Sequence, residues 1–296
     1  MKKTFSIGRL IGNGILIILT VIGCSPKETV PSVEPAMTDQ EPTETSVPTA
    51  LKVNGDGISI EEYQTELQRY QSALEAIGEP YDPAVAEQEI TDHFINTLLL
   101  STAASQNGFT LDGSALSQEV QDIKTSLGGD QVFEEWMAEN AYSLNMFETA
   151  LAREMTAIWM RNQIIADVSS GVEQIHARQI LVPTENEALG ILRQLEVGNS
   201  FESLAFEYDP LTGGDLGWFP QGYLIRPEVD EATFSLQPGQ YSGIIRTDYG
   251  FHIIEVIERD ASHPLTNDAL IFIQQKAVDD WLAAQKEIAA IEILTP

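Results

Sequence analysis

Few side chains in this chain have the types that covalent or metal chemistry needs. Its 296 residues include one cysteine, Cys24, and four histidines. A single cysteine forms no internal disulfide and no Cys-rich zinc site, and its place near the N-terminus leaves the body without a thiol nucleophile. The sequence contains no HExxH motif, no P-loop and no dinucleotide-binding fingerprint. We therefore expect no metal site and no cofactor.

The most unusual local pattern is GGDLGWFPQGY, Gly213 to Tyr223. A hairpin connection needs only one or two glycines. This stretch has four, beside the adjacent aromatic residues Trp218 and Phe219. We interpret the first three glycines as architectural, because they let a loop turn sharply onto a strand. What the loop serves depends on the elements around it.

The N-terminus has the layout of a secretory signal, with basic residues ahead of an apolar segment at 11–22. That segment is short for a bilayer span. The sequence Val21-Ile22-Gly23-Cys24 resembles a bacterial lipobox, in which the cysteine is acylated. The alternative is an ordinary signal peptide or a signal anchor with an incidental cysteine. We expect a lipoprotein signal peptide at 1–24 and an extracytoplasmic chain anchored to the cell membrane by a lipid on Cys24.

A linker and then a helical region follow. Residues 25–50 are rich in Pro, Thr, Glu and Ser without periodicity, which predicts a disordered linker. Residues 51–170 open with a short strand and turn. Ser59 then has the position of a helix N-cap, with Glu62 as its capping-box partner. Apolar residues next recur every three or four positions, which predicts a set of amphipathic helices.

Two further regions complete the chain. Residues 173–259 have the pattern of a strand, two helices, the glycine stretch, another helix and two strands, which is typical of an α+β unit. Within 264–296 an amphipathic helix carries an apolar side that it cannot bury alone. We expect this C-terminal helix to return to the helical domain.

The order ARQILV, GGDLGWF and TDYGFHIIEV resembles a parvulin-type peptidyl-prolyl isomerase over residues 173–259. The whole layout resembles the extracytoplasmic foldase lipoproteins and the periplasmic SurA-type chaperones. The resemblance implies an α+β fold with two domains. One is a helical, chaperone-like domain at 51–170 similar to the SurA N-terminal domain. The other is a parvulin domain, a four-stranded sheet with surrounding helices.

The resemblance also implies a set of site residues. Parvulins usually have a polar centre with two histidines; His252 matches the second, and Thr247 matches a hydroxyl residue near it. Gln179 stands where the family has the first histidine, and glutamine can still donate and accept hydrogen bonds. Asp209 falls at the family's polar loop residue. The implied proline-binding side chains are apolar: Leu216, Leu224 or Ile225, Val229 and Phe234.

Rotation about an X-Pro bond needs no nucleophile, because no bond is made or broken. The barrier is about 18–20 kcal/mol, and the uncatalysed reaction takes tens of seconds or more. A catalyst must hold the proline ring in a dry apolar pocket and bind the carbonyl side with polar groups. These contacts must favour the twisted amide over both planar forms.

Charge limits the partners. The formal net charge is −29, and residues 173–259 contain fourteen acids, five arginines and no lysine. This balance makes nucleic-acid binding implausible. Phospho-specific parvulins have a basic cluster after the first strand of the domain, where it holds the substrate phosphate, and this chain lacks it. Its absence argues against selectivity for phospho-Ser/Thr-Pro sequences. We expect unfolded or partly folded secreted polypeptides with X-Pro bonds as partners, and no nucleic acid.

Two functional hypotheses follow, from different classes. The first is a membrane-tethered prolyl isomerase that assists the folding of secreted proteins. The second is a holdase chaperone whose parvulin domain is weak or inactive, because Gln179 replaces the family histidine. A solute-binding lipoprotein is disfavoured, because that class has two α/β lobes around a cleft, whereas residues 51–170 are predicted to be mostly helical.

Overall fold

The computed structural model describes residues 48–168 and 171–294. The chain divides into two compact units, and both divisions fall inside helices. The first unit contains the described residues up to Asn162 and those from Trp281 onward, and the second runs from Gln163 to Asp280. In chain order the elements are β1 (Thr49–Val53), β2 (Asp56–Ser59), α1 (Ile60–Ile77), α2 (Pro83–Gln106), α3 (Gly113–Leu127), α4 (Asp130–Glu139), α5 (Leu144–Ala166), β3 (Gly171–Val182), α6 (Glu185–Glu196), α7 (Phe201–Tyr208), β4 (Asp215–Pro220), α8 (Pro227–Phe234), β5 (Ile245–Thr247), β6 (Gly250–Pro264), α9 (Asn267–Ile288) and β7 (Ile291–Ile293).

The first unit begins with a hairpin and a capped helix. Asn54 and Gly55 have φ angles of 54° and 97°, the left-handed pair that a tight two-residue turn needs. Ser59 caps α1 by accepting a hydrogen bond from Glu62 N at 3.1 Å. The Glu62 carboxylate does not close the predicted capping box. It pairs instead with Arg153 of α5.

A small sheet lies among the helices of the first unit, in the order β2-β1-β7 with antiparallel pairing. β1 begins at Thr49, so the predicted linker extends two residues too far into the fold. The predicted signal peptide at 1–24 and residues 25–47 lie outside the described residues. α3, α4 and α5 enclose an apolar cluster that includes Ile123, Phe133 and Phe147.

The second unit is built on a four-stranded antiparallel sheet in the order β4-β3-β6-β5. Successive residues on a strand point to opposite faces. On one face Ile180 and Ile253 pack with α6 and α7. On the other face Ile175 and Ile254 pack with Val229 of α8. The predicted α+β class is confirmed.

The bounds of two strands differ from those that the apolar runs predict. These runs predict strands from Ser242 to Thr247 and from His252 to Ile257. β5 begins only at Ile245, although Ser242 N still donates to Ile254 O at 2.8 Å. β6 continues past Ile257 to Pro264, so His263 lies in a strand rather than in a loop after it. Within the two described stretches, no helix has both the length and the apolar character that a membrane crossing requires.

Candidate functional site

His252 of β6 is buried, with 5% of its surface exposed, and both ring nitrogens are hydrogen-bonded. Nδ1 lies 3.0 Å from Gln179 Oε1 on β3. Nε2 lies 2.8 Å from Thr247 Oγ1 on β5. Three of the four residues expected at the polar centre are thus brought together by three neighbouring strands.

The hydrogen bonds assign the protons in this centre. Gln179 Oε1 can only accept, so His252 Nδ1 carries the ring proton and donates it. His252 Nε2 then accepts from the Thr247 hydroxyl, whose oxygen accepts from Tyr249 N at 3.1 Å. Burial lowers the pKa of His252 below its ordinary value, the charge of Arg226 lowers it further and that of Glu228 opposes them. The ring is therefore neutral at neutral pH.

An apolar cluster adjoins His252. Ile245 lies directly opposite His252 in the β5–β6 ladder, and Ile254 is the next residue of β6 on the same face. Both belong to a cluster with Val229, which is buried, and with partly buried side chains that keep some apolar surface open. These partly buried members include three of the expected proline-binding residues: Leu216, Leu224 and Phe234.

Ile225 is not part of this cluster. It is 89% exposed, so of the two expected alternatives Leu224, and not Ile225, packs in the cluster. The reason lies in the turn before α8. The buried carboxylate of Asp230 accepts hydrogen bonds from Gly222 N at 2.8 Å and Leu224 N at 3.3 Å. This turn packs Leu224 on the sheet and leaves the next side chain in solvent.

Asp209 has a different place from the other polar residues. It ends α7, and its carboxylate accepts hydrogen bonds from the backbone of Leu211, Thr212 and Gly214 and from the Thr212 hydroxyl. These bonds, led by the one from the Thr212 hydroxyl, lower the pKa of Asp209. In the described chain its carboxylate makes no hydrogen bond to His252. Asp209 therefore organises the loop from 209 to 214.

That loop reaches the polar centre through Gly214. Its carbonyl accepts a hydrogen bond from Gln179 N at 2.8 Å. Gly214 has φ +67°, and a Cβ built there would lie 1.9 Å from the Gln179 carbonyl oxygen. Only glycine allows the two backbones to approach this closely. The loop thus fixes the segment of β3 that carries Gln179.

The other histidines lie elsewhere. His176 Nε2 is 2.8 Å from Asp215 Oδ1, and the His263 ring stacks on Trp218 at 4.0 Å between centroids. His93, in the first unit, lies 3.5 Å from Glu154. None of the three bonds to the His252 centre. Cys24 lies outside the described residues.

Three residues of the site were missed from the sequence. Leu181 lies opposite His252 in the β3–β6 ladder and is 40% exposed, so it adds apolar surface beside the centre. Strand alternation from Gln179 could have indicated it. Arg226 and Tyr249 contact each other, with the guanidinium carbon 4.2 Å from the ring centroid. No sequence pattern signals this contact.

Comparisons with known proteins identify two domains in the chain. The sequence profile described as the PPIC-type PPIase domain matches residues 163–260, and that of the SurA-like N-terminal domain matches residues 15–160. The chain contains a parvulin-type PPIase domain. A SurA-like domain lies before the parvulin domain in the sequence. PrsA and SurA proteins are homologues of this chain.

The relatives cover the chain to different extents. The foldase protein PrsA of Caldanaerobacter subterraneus subsp. tengcongensis is 29% identical over 69% of this chain and 71% of its own. The chaperone SurA of Burkholderia thailandensis is 34% identical over 45% of this chain, which spans only 31% of that relative. A crystal structure of the peptidylprolyl isomerase PrsA from Bacillus cereus has 18% identity, a TM-score of 0.45, and coverage of 82% of this chain and 90% of that one.

Proposed function

We propose that this protein is a membrane-anchored extracytoplasmic foldase that catalyses cis/trans isomerisation of X-Pro bonds in secreted polypeptides. The single observation that carries the proposal is the neutral centre of His252, Gln179 and Thr247 beside a partly open apolar cluster. The relatives named foldase and chaperone support the same role.

The geometry suits the chemistry of amide rotation. Leu216, Leu224 and Phe234 offer apolar surface on which a prolyl ring can pack. A buried, neutral ring beside that surface adds no charge that would stabilise the planar, dipolar amide. The twisted amide has lost resonance and is the less dipolar form, so such surroundings favour it over both planar forms.

Gln179 has the groups to bind the substrate carbonyl. Its Oε1 accepts from His252, while its side-chain NH₂ group donates no hydrogen bond to any other described residue. That group is left to donate to the oxygen of the residue before proline. Gln179 would then serve where the family has a histidine, with no titrating proton of its own.

The decisive experiment measures exchange in a short X-Pro peptide by NMR. The protein is the chain from Ser25 onward, which keeps every described residue. We expect catalysis by the wild type and a loss of about a hundredfold or more in His252→Ala. His263→Ala is the matched control, because it removes a histidine of the same strand that lies outside the centre. Equal rates in all three proteins would exclude His252 as the catalytic residue.

A holdase is the second candidate, and a groove of about 580 Å³ in the first unit favours it. Leu98, Leu111 and Ala152 line this groove together with several hydroxyl side chains. If peptide exchange stays at the uncatalysed rate while the chain still prevents aggregation of an unfolded client, the holdase replaces the isomerase. Leu111→Glu tests the groove, since Leu111 is only partly buried and a charge there would weaken client binding.

The proposal of a lipid anchor rests on the lipobox-like sequence that ends at Cys24. We expect fatty-acid labelling of the wild-type chain in its host and recovery with the membrane fraction. Cys24→Ser should lose the label and no longer remain with that fraction. A labelled Cys24→Ser variant would show that the lipid, if present, lies elsewhere.

A further inference from the structure

A cation stacked on an aromatic ring joins the two loops that flank His252. Arg226 precedes α8, and Tyr249 lies in the turn between β5 and β6. The Arg226 guanidinium carbon is 4.2 Å from the Tyr249 ring centroid, and Arg226 Nη1 is 3.9 Å from Asp248 Oδ2. We call this the Arg226–Tyr249 contact.

The two partners differ in how firmly their backbones are held. The Arg226 carbonyl accepts hydrogen bonds from Val229 N and Asp230 N, both at 3.0 Å, which ties it into the first turn of α8. Tyr249 is 68% exposed, in a turn whose strand β5 has only three residues and pairs only with β6. The firmly held side of the contact is therefore Arg226, and the weakly held side is the β5–β6 turn.

A continuous chain of contacts leads from that turn to the polar centre. Tyr249 N donates to Thr247 Oγ1 at 3.1 Å, and the Thr247 hydroxyl donates to His252 Nε2 at 2.8 Å. His252 Nδ1 donates to Gln179 Oε1 at 3.0 Å. A shift of the turn would move the Tyr249 N–H, release the Thr247 hydroxyl and free the imidazole to change tautomer.

We propose that Arg226 is a positioning residue of the His252 centre: by stacking on Tyr249 it fixes the β5–β6 turn, and through Thr247 it holds the imidazole as the Nδ1–H tautomer. The expected effect of Arg226 on catalysis rests on the proposed isomerase function. Its expected effect on the His252 tautomer does not. Arg226 Nε is buried and has no hydrogen-bond partner among the described residues. The guanidinium instead stacks on Tyr249 and approaches the Asp248 carboxylate through Nη1.

The charge of Arg226 acts in the same direction as its contact. Arg226 from the start of α8 disfavours a proton on His252, whereas Glu228 on α8 favours one. Arg226→Lys keeps the charge and a weaker cation–ring contact, and Tyr249→Ala keeps the charge and removes the ring. These two variants separate positioning from electrostatics. Because Tyr249 is mostly exposed, we expect its alanine variant to fold.

The test records the imidazole ¹⁵N spectrum of His252 in the chain from Ser25 onward, together with peptide exchange rates. In the wild type we expect the Nδ1–H tautomer alone. In Arg226→Ala and Tyr249→Ala we expect both tautomers and a fall in kcat/KM of about tenfold. The double variant should lose no more than either single variant, because both remove the same contact. Arg226→Lys should recover part of the rate.

Arg246→Ala is the matched control, since Arg246 is an exposed arginine on β5 whose side chain points away from the face that carries Thr247. If Arg226→Ala and Tyr249→Ala gave the ring spectrum of Arg246→Ala, the positioning role would be overturned. If the wild type did not catalyse exchange at all, the isomerase proposal would fall. The ring spectra would still decide the role of Arg226.

Discussion

His252 and the pair His176 and His263 lie on the same four-stranded sheet in contrasting surroundings. His252 is buried, and its two ring nitrogens bond to an amide and a hydroxyl. His176 and His263 are partly exposed, their ring centroids lie 5.6 and 4.0 Å from that of Trp218, and they have carboxylates at 2.8 and 3.5 Å.

The difference shows what suits a histidine to amide rotation. Neutral partners and burial hold one tautomer of His252 and exclude charge, whereas Asp215 and Asp260 place carboxylates beside the two partly exposed rings. The first arrangement is costly unless the buried ring is paired, and here Gln179 Oε1 and the Thr247 hydroxyl pair both ring nitrogens of His252. The second arrangement is an ordinary surface cluster.

The largest effect is expected at Gly214, which supports the His252 side of the comparison. Gly214→Ala would place a Cβ 1.9 Å from the Gln179 carbonyl oxygen, so we expect a loss of at least about 4 kcal/mol in unfolding free energy. Gly217 is the matched control. It has φ +69° with nothing within 4 Å of a built Cβ, so Gly217→Ala should cost about 1–2 kcal/mol. Urea unfolding measures both, and equal losses would show that the close approach is not needed.

A second effect is expected at Gln179. Gln179→Leu leaves His252 Nδ1–H without an acceptor in a buried place, which should lower the unfolding free energy by about 1–3 kcal/mol. The exchange rate should fall by tenfold or more, because the ring is no longer oriented. Gln179→His restores the residue that the family has and should keep the activity. An unchanged rate in Gln179→Leu would mean that Gln179 only packs.

Much of this architecture is predictable from the sequence, for physical reasons. Helices α2 and α5 are long and periodic, and Asp82 caps α2 through Ala84 N at 3.0 Å as its position before proline indicates. The strands of the second unit follow from apolar runs bounded by turns. The polar centre is predicted only from the resemblance to parvulins, because Gln179 and His252 are far apart in the chain and no periodicity connects them.

The rest depends on tertiary contacts that no local pattern contains. β7 is three residues long and pairs with β1, at the opposite end of the described chain. Whether Leu224 or Ile225 faces the sheet depends on the Asp230 carboxylate several residues later. The Arg226–Tyr249 contact joins two loops that are adjacent only in the folded unit. In each of these three cases tertiary packing decides a local conformation or contact that sequence propensity leaves open.

A third, smaller effect concerns pH. The folded pKa of His252 is lowered by burial, so as pH falls below about 6.5 the unfolded chain binds a proton that the folded chain does not. The unfolding free energy should therefore decrease as pH falls through this window, with a slope of at most about 1.4 kcal/mol per pH unit from this one group.

The measurement is urea unfolding between pH 7.5 and 5.5, at roughly half-unit steps. His252→Gln should reduce the slope relative to the wild type, because it removes the group that protonates in the unfolded chain. Gln179→Glu sharpens the comparison, because it gives His252 a carboxylate partner like that of His176 and should favour the protonated ring. An identical slope in the wild type and His252→Gln would contradict the account of the buried neutral ring.

The smallest effect is expected at Trp218, on the other side of the comparison. Trp218→Leu removes the ring that stacks on His263 and should lower the unfolding free energy by about 1 kcal/mol, because the lost interaction is aromatic stacking on a partly exposed surface. Trp218→Phe, which keeps a ring, should lose less. Neither variant should change peptide exchange by more than about twofold, since Trp218 makes no contact with the bonds that hold His252. A fall in exchange as large as that of Gln179→Leu would mean that the surface cluster and the buried centre are one coupled site.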